Sequence, residues 1–88
     1  MIFIDTKKSI LTPRAYGKIT FHLKELMDKK SINRNQLAGL ANFRFEVADR
    51  YYNGNLERID IDVLARICFV LDCRIEDIMT YEKPNEPQ

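Results

Sequence analysis

Arg44, Phe45, Glu46, Asp49 and Arg50 crowd into one short stretch and bring together two guanidinium groups, two carboxylates and an aromatic ring. Such side chains donate and accept hydrogen bonds and press on flat apolar groups, which suits recognition rather than turnover. The bland alternative is a solvated helix face on which Glu46 and Asp49 pair with Arg50 within one turn. Nothing elsewhere promises catalysis. There is no glycine-rich phosphate loop and no Ser/His/Asp or Cys/His set in a recognisable context, so the chain is not expected to be an enzyme. The single histidine, His22, has no zinc-site spacing to Cys68 or Cys73, and a metal would need further ligands. Neither a metal, a cofactor nor a small-molecule ligand is expected.

The elements that must position those side chains lie between Asn33 and Gly54, in NRNQLAGLANFRFEVADRYYNG. Asn33 and Gln36 have capping-box spacing, which starts a helix. Leu37, Leu40 and Ala41 then recur at helical intervals, with the small Ala38 beside them where a larger residue would hold the next helix away. Asn42 tolerates a left-handed backbone and ends the helix in a sharp turn. Phe43, Val47, Ala48 and Tyr51 form a second apolar set, closed by Asn53-Gly54. Two short helices joined by a tight turn are the plan of a helix-turn-helix, and the second leaves Arg44, Phe45, Glu46, Asp49 and Arg50 facing outward.

The pair Leu37-Ala38, the turn at Asn42-Phe43, Val47-Ala48 and Asn53-Gly54 resemble the lambda-repressor and Cro-like regulators, the XRE family. The resemblance runs from about Ile19 to Tyr81, and IDIDVLARICFVLDCRIEDIM is similar to the fourth and fifth helices of small family members. It implies an all-α, compact five-helix DNA-binding domain, with room for short β segments at the termini. It also implies that the second motif helix, near Phe45–Tyr52, enters the major groove of double-stranded DNA while the first crosses the backbone.

By position, Phe45, Glu46 and Asp49 become candidate base readers, with Arg44 and Arg50 beside them. Arg50 matches guanine, Glu46 can accept from a cytosine amino group and Phe45 can press on a thymine methyl. Arg34 stands where family members often carry a phosphate-contacting Gln, and Asn35, Asn55 and Arg58 are further phosphate candidates. Arg44 replaces a common Ser or Thr cap, and Gly39 weakens its helix by about 1 kcal/mol relative to alanine.

The rest of the chain fits one domain of 88 residues. We divide it into an N-terminal extension, 1–17, a helix-turn-helix domain, 18–81, and a tail, 82–88. The net charge of +1 hides an asymmetry: residues 1–18 hold four basic and one acidic side chain, 19–58 seven and five, and 59–88 three and seven. The extension reads as a small hairpin, as a basic arm carrying Lys7, Lys8, Arg14 and Lys18, or as an ordinary flexible segment. Lys18 to Phe21 adds extended residues before a helix from near His22 to about Lys30, where His22 and Glu25 have capping spacing. Asp60 caps the next helix, whose wide apolar face of Ile61, Leu64, Ile67, Cys68 and Leu71 makes it the central core element. Asp72 and Arg74 depart from the small residues usual at the following junction. From Tyr81 the chain is expected to leave the fold, to pair as a strand with Lys18 to Phe21, or to cross to a second subunit.

No apolar run approaches the roughly 20 residues that span a bilayer, and the N-terminus lacks a signal-peptide core, so a cytoplasmic protein with reduced cysteines is expected. The resulting expectation is a sequence-specific transcriptional regulator, a repressor acting as a homodimer. The rival from another class is a protein-interaction module, an antitoxin or adaptor, that keeps the fold and uses Phe45, Tyr52 and the acidic residues on a partner.

Overall fold

The structure, a computed structural model, describes residues 16–84. The hairpin reading of the extension and the Lys7, Lys8 and Arg14 of the basic-arm reading fall outside that range, while Lys18 lies in the first strand. Seven elements follow in order: β1 (Lys18–Phe21), α1 (Leu23–Lys30), α2 (Arg34–Ala41), α3 (Phe45–Asn53), α4 (Ile61–Leu71), α5 (Ile75–Ile78) and β2 (Met79–Glu82). The fold is the expected five-helix domain with a small sheet at its ends.

Apolar spacing explains which face most of these helices bury. Ile61 of α4 and Leu40 of α2, expected on those faces, are instead 80% and 66% exposed, because each lies at the edge of its stripe, turned from the core. Leu64, Ile67 and Leu71 share one side of α4 and meet Leu23 and Met27 of α1, Leu37 of α2 and Ile78 of α5 in one core. Each such side chain contributes roughly 1.5–3 kcal/mol by leaving water. Ala38, Ala41 and Ala48 are buried without bulk, which lets the motif helices sit close to their neighbours. Tyr51 is buried as well, with its ring edge-on to Phe21 at 6.5 Å and 74°. Its hydroxyl accepts the Asp60 N–H at 2.9 Å, so the core reaches directly to the start of α4.

Helix ends follow the chemistry of their caps. The Asn33 side chain accepts the Gln36 N–H while the Gln36 side chain accepts the Asn33 N–H, both at 2.8 Å. Asp60 accepts from Asp62 and Val63 at 2.9 and 3.4 Å. Ser31, Asn42, Gly54 and Asp72 end their helices in the left-handed region, where the non-glycine residues each carry a strain of roughly 1 kcal/mol. The junction at Arg74 is held from the other side: the Asp77 carboxylate accepts the Arg74 N–H at 3.0 Å.

His22 departs from the capping expectation. It occupies the position before α1, but its side chain caps no helix amide. Its Nε2 instead stands 2.8 Å from Thr80 Oγ1, because the imidazole lies beside the strand pair rather than over the first turn. That pair answers the question left open for Tyr81: β1 and β2 run antiparallel, matching Lys18 with Glu82, Ile19 with Tyr81, Thr20 with Thr80 and Phe21 with Met79. Tyr81 and Glu82 thus stay in the fold. Gly17 prolongs the contact, donating its N–H to the Tyr81 hydroxyl at 2.9 Å. A Cβ there would fall 1.7 Å from the Glu82 carbonyl oxygen, so only glycine fits.

Cys68 and Cys73 are free thiols, both half-buried. Burial, and next the neighbouring Cys68, push the Cys73 thiol up to about 11. At neutral pH it is protonated and unreactive.

Candidate nucleic-acid interface

The turn between α2 and α3 is built from Asn42, Phe43 and Arg44. Asn42 adopts φ 60 and ψ 51 and returns its N–H to the Ala38 carbonyl, which also accepts from Phe43 at 3.1 Å. Arg44 is extended and makes no side-chain cap, as its replacement of Ser or Thr implied. The orphan carbonyls at the end of α2 find a partner in α4. Arg66 Nη1 donates to the Ala41 and Asn42 carbonyls at 3.2 and 3.0 Å, while its Nε pairs with Asp62 at 3.0 Å. One guanidinium therefore ties the core helix to the turn and fixes the angle at which α3 departs.

A second clamp closes the other side of the motif. Arg34, in the first turn of α2, pairs through Nη1 with the Asp49 carboxylate on α3. Its guanidinium lies 5.6 Å from the Phe45 ring centre and 5.0 Å from that of Tyr52, within cation–π range. Asn53 Nδ2 adds a donor to Asp49 Oδ1 at 3.2 Å. The alternative in which Glu46 and Asp49 pair with Arg50 within α3 finds no such ion pair among the described residues; Asp49 pairs between helices instead. Asp49 is closer to Arg34 because the carboxylate sits on the side of α3 that faces α2.

The remaining candidates divide by place. Arg44, Phe45, Glu46 and Arg50 are exposed along the outward side of α3, and Phe45 retains 40% of its surface. Neither Arg44 nor Arg50 joins an ion pair among the described residues. Asp49 is only half-exposed and belongs to the inter-helix clamp. Of the phosphate candidates, Arg34 and Asn35 stand at the start of α2, where their own amides have no intrahelical partner while that of Gln36 is held by Asn33. Asn55 and Arg58 lie beyond α3 and line, with Arg50, Leu56 and Glu57, an open concavity of about 520 Å³. The structure thus sets a polar cluster on each side of the exposed α3 face.

Sequence reasoning missed Arg66 and Asn53. Arg66 could have been noticed as a charge inside an apolar helix, four residues after an aspartate. The role of Asn53 was obscured by its other reading as part of the Asn53-Gly54 stop signal.

Among the described residues no group of three or more His, Cys, Asp or Glu side chains could hold a metal ion. No described helix is long and apolar enough to cross a membrane. No curated protein matches the chain. Residues 22–84, from the turn into α1 to the last described position, match the Cro/C1-type helix-turn-helix DNA-binding domain. The clamped motif lies within that match, which takes in all five helices: the chain belongs to the Cro/C1-type, or XRE, family of helix-turn-helix DNA-binding regulators.

Proposed function

We propose that this regulator is a sequence-specific repressor that seats α3 in the major groove of its operator and acts as a homodimer. The observation that carries the reading is the division of labour between arginines. Arg34 and Arg66 are consumed in holding α2, the turn and α4 together, whereas Arg44 and Arg50 are exposed without ion pairs among the described residues. A rigid scaffold then offers donors to base edges and phosphates. Glu46 and Phe45 supply the remaining base-facing chemistry, an acceptor and an apolar ring. Asp49 acts through Arg34 and Asn53 as a positioning residue. The Asn35 side chain and the Arg34 and Asn35 amides meet one phosphate cluster, and Asn55 and Arg58 meet another. Repression needs only occupancy of a promoter, which such a module supplies by itself.

Dimeric binding follows from the small contact area of one module, since two recognition helices roughly 34 Å apart gain affinity on a pseudo-palindrome. The acidic Glu46 also favours a second reading, in which the α3 face docks on a protein. Fluorescence anisotropy of mixed-sequence duplex DNA, titrated at several salt concentrations, separates the two. Micromolar affinity that falls steeply with salt, and that weakens in Arg44→Ala/Arg50→Ala, supports the DNA reading. Folded protein that shows no binding at low salt removes it and leaves the protein-docking module.

A further inference from the structure

We propose that the outward face of α4, with Leu40 of α2 beside it, is the surface through which two copies of this chain associate. In the dimer, α4 packs antiparallel on the second copy's α4 about a two-fold axis near Ala65. The inference deepens the homodimeric reading above by assigning the interface and its geometry.

The core side of α4 is Leu64, Ile67 and Leu71, so apart from the Arg66 bridge to the turn the opposite side packs on nothing and is where charged residues belong. Instead Ile61 is 80% exposed, Phe69 86% and Leu40 66%. Ile61, Ala65 and Phe69 follow one another at steps of four and form one stripe. Leu40, Ala65, Phe69 and Val70 line a groove of about 380 Å³ between that stripe and α2. Covering the three large side chains would remove on the order of 400 Å² of apolar surface per copy. That is about half of the roughly 800 Å² each partner contributes to a standard interface, a fitting share for its apolar centre.

The occupant is indicated by symmetry. A two-fold contact uses the same patch on both copies and must be complementary to itself. The stripe has this property: a small residue at its centre is flanked, four positions away on either side, by a large apolar one. Antiparallel packing about Ala65 sets Ile61 of each copy against Phe69 of the other, and the facing Ala65 methyls let the helix axes approach within about 8–10 Å. Charge agrees. Asp62 and Arg66 border the stripe and neutralise each other at 3.0 Å, so a second copy meets no repulsion. None of the exposed α3 residues lines this groove, which leaves the DNA-facing side open in the dimer.

The test is sedimentation equilibrium of the 88-residue chain without DNA, up to about 0.5 mM. Wild type is expected to dimerise in the micromolar range. Phe69→Glu and Ala65→Glu are each expected to weaken association at least about tenfold with thermal melting unchanged at concentrations where the wild type is monomeric, and Ile75→Glu, on exposed α5 surface, to leave association intact. Phe69→Ala removes only exposed atoms, and is expected to weaken association several-fold even if a charged variant disturbs the helix. A wild type that stays monomeric throughout, or a dimer indifferent to the α4 variants, overturns the assignment. Because DNA is absent, failure of DNA binding by an intact dimer would sink only the earlier reading.

Discussion

Arg34 in the first turn of α2 is paired with Asp49 in the middle of α3, fifteen positions later. The pair crosses the open side of the helix-turn-helix and is backed by Phe45 and Tyr52 against the guanidinium. Both partners keep about 40% of their side-chain surface, so water screens the attraction. A double-mutant cycle with Arg34→Ala and Asp49→Ala, read by urea unfolding, should give a coupling energy of about 0.5–1 kcal/mol that shrinks with salt. Strict additivity would show that the clamp contributes nothing.

Arg66→Ala should cost more. It strips the Ala41 and Asn42 carbonyls of a charged donor and breaks the bridge from α4 to the turn. A loss of about 1.5–3 kcal/mol is expected in the same assay. Arg66→Lys should recover only part of it, since a single ammonium cannot also reproduce the fork that holds Asp62.

Gly39 is exposed in α2, and a Cβ added there would meet no neighbour within 4 Å. Gly39→Ala should therefore raise stability by about 1 kcal/mol, a gain of several degrees in melting temperature for a domain of this size. A fall in melting temperature would mean that the site is less open than its geometry indicates.

Removing Arg50 alone should reduce affinity for any duplex and flatten the salt dependence by about one unit of slope if it meets phosphate. If it reads a guanine, the loss is about 1–3 kcal/mol on the operator and relaxes preference at one position. Anisotropy with selected and scrambled duplexes distinguishes these outcomes, and unaltered binding to both would dismiss Arg50 from the interface.

The Cys73 thiol titrates at about 11 rather than at its ordinary 9.0. The folded state keeps this proton while the unfolded chain releases it, so the contribution to stability is whole below pH 9 and drains away as pH rises through about 11. In a Cys68→Ala variant, where burial remains as the main cause, the rate of alkylation of Cys73 by iodoacetamide should still be climbing with pH beyond 9 rather than levelling there. An inflection near 9 would contradict the burial argument.

Local signals made the helices legible. The Asn33–Gln36 box, the turn at Asn42, the stop at Gly54 and the cap at Asp60 each depend on residues within a few positions of one another, and the apolar spacing of α4 marks Leu64, Ile67 and Leu71 as buried while wrongly including Ile61. What remained hidden depends on partners distant in sequence. The four-residue spacing of Glu46 and Arg50 suggested a pair within α3, with Asp49 beside it, yet which carboxylate meets which guanidinium was decided by the crossing of α2 and α3. His22 looked like a cap because Glu25 follows at the right interval, whereas its partner, Thr80, comes from the opposite end of the domain. The same limit applies to α3. Helical periodicity identifies an outward side, but only tertiary pairing separates Arg50 of α3, without an ion pair among the described residues, from Arg34 of α2, already engaged with Asp49.

The antiparallel match of β1 with β2 joins residues at opposite ends of the domain, from Lys18 with Glu82 to Phe21 with Met79. Every helix lies inside that span, so the sheet closes the longest loop among the described residues, a little longer than the one closed where α1 meets α5. Closure entropy rises with loop length, and such a contact is rewarded only after the intervening helices have compacted. Zipping of the strands should come late in folding, with Thr20 and Thr80 showing φ-values near zero while Leu37 and Ile67 show higher ones. By the same logic the strand pair can fray first, opening the ends of the domain while the helix-turn-helix stays assembled.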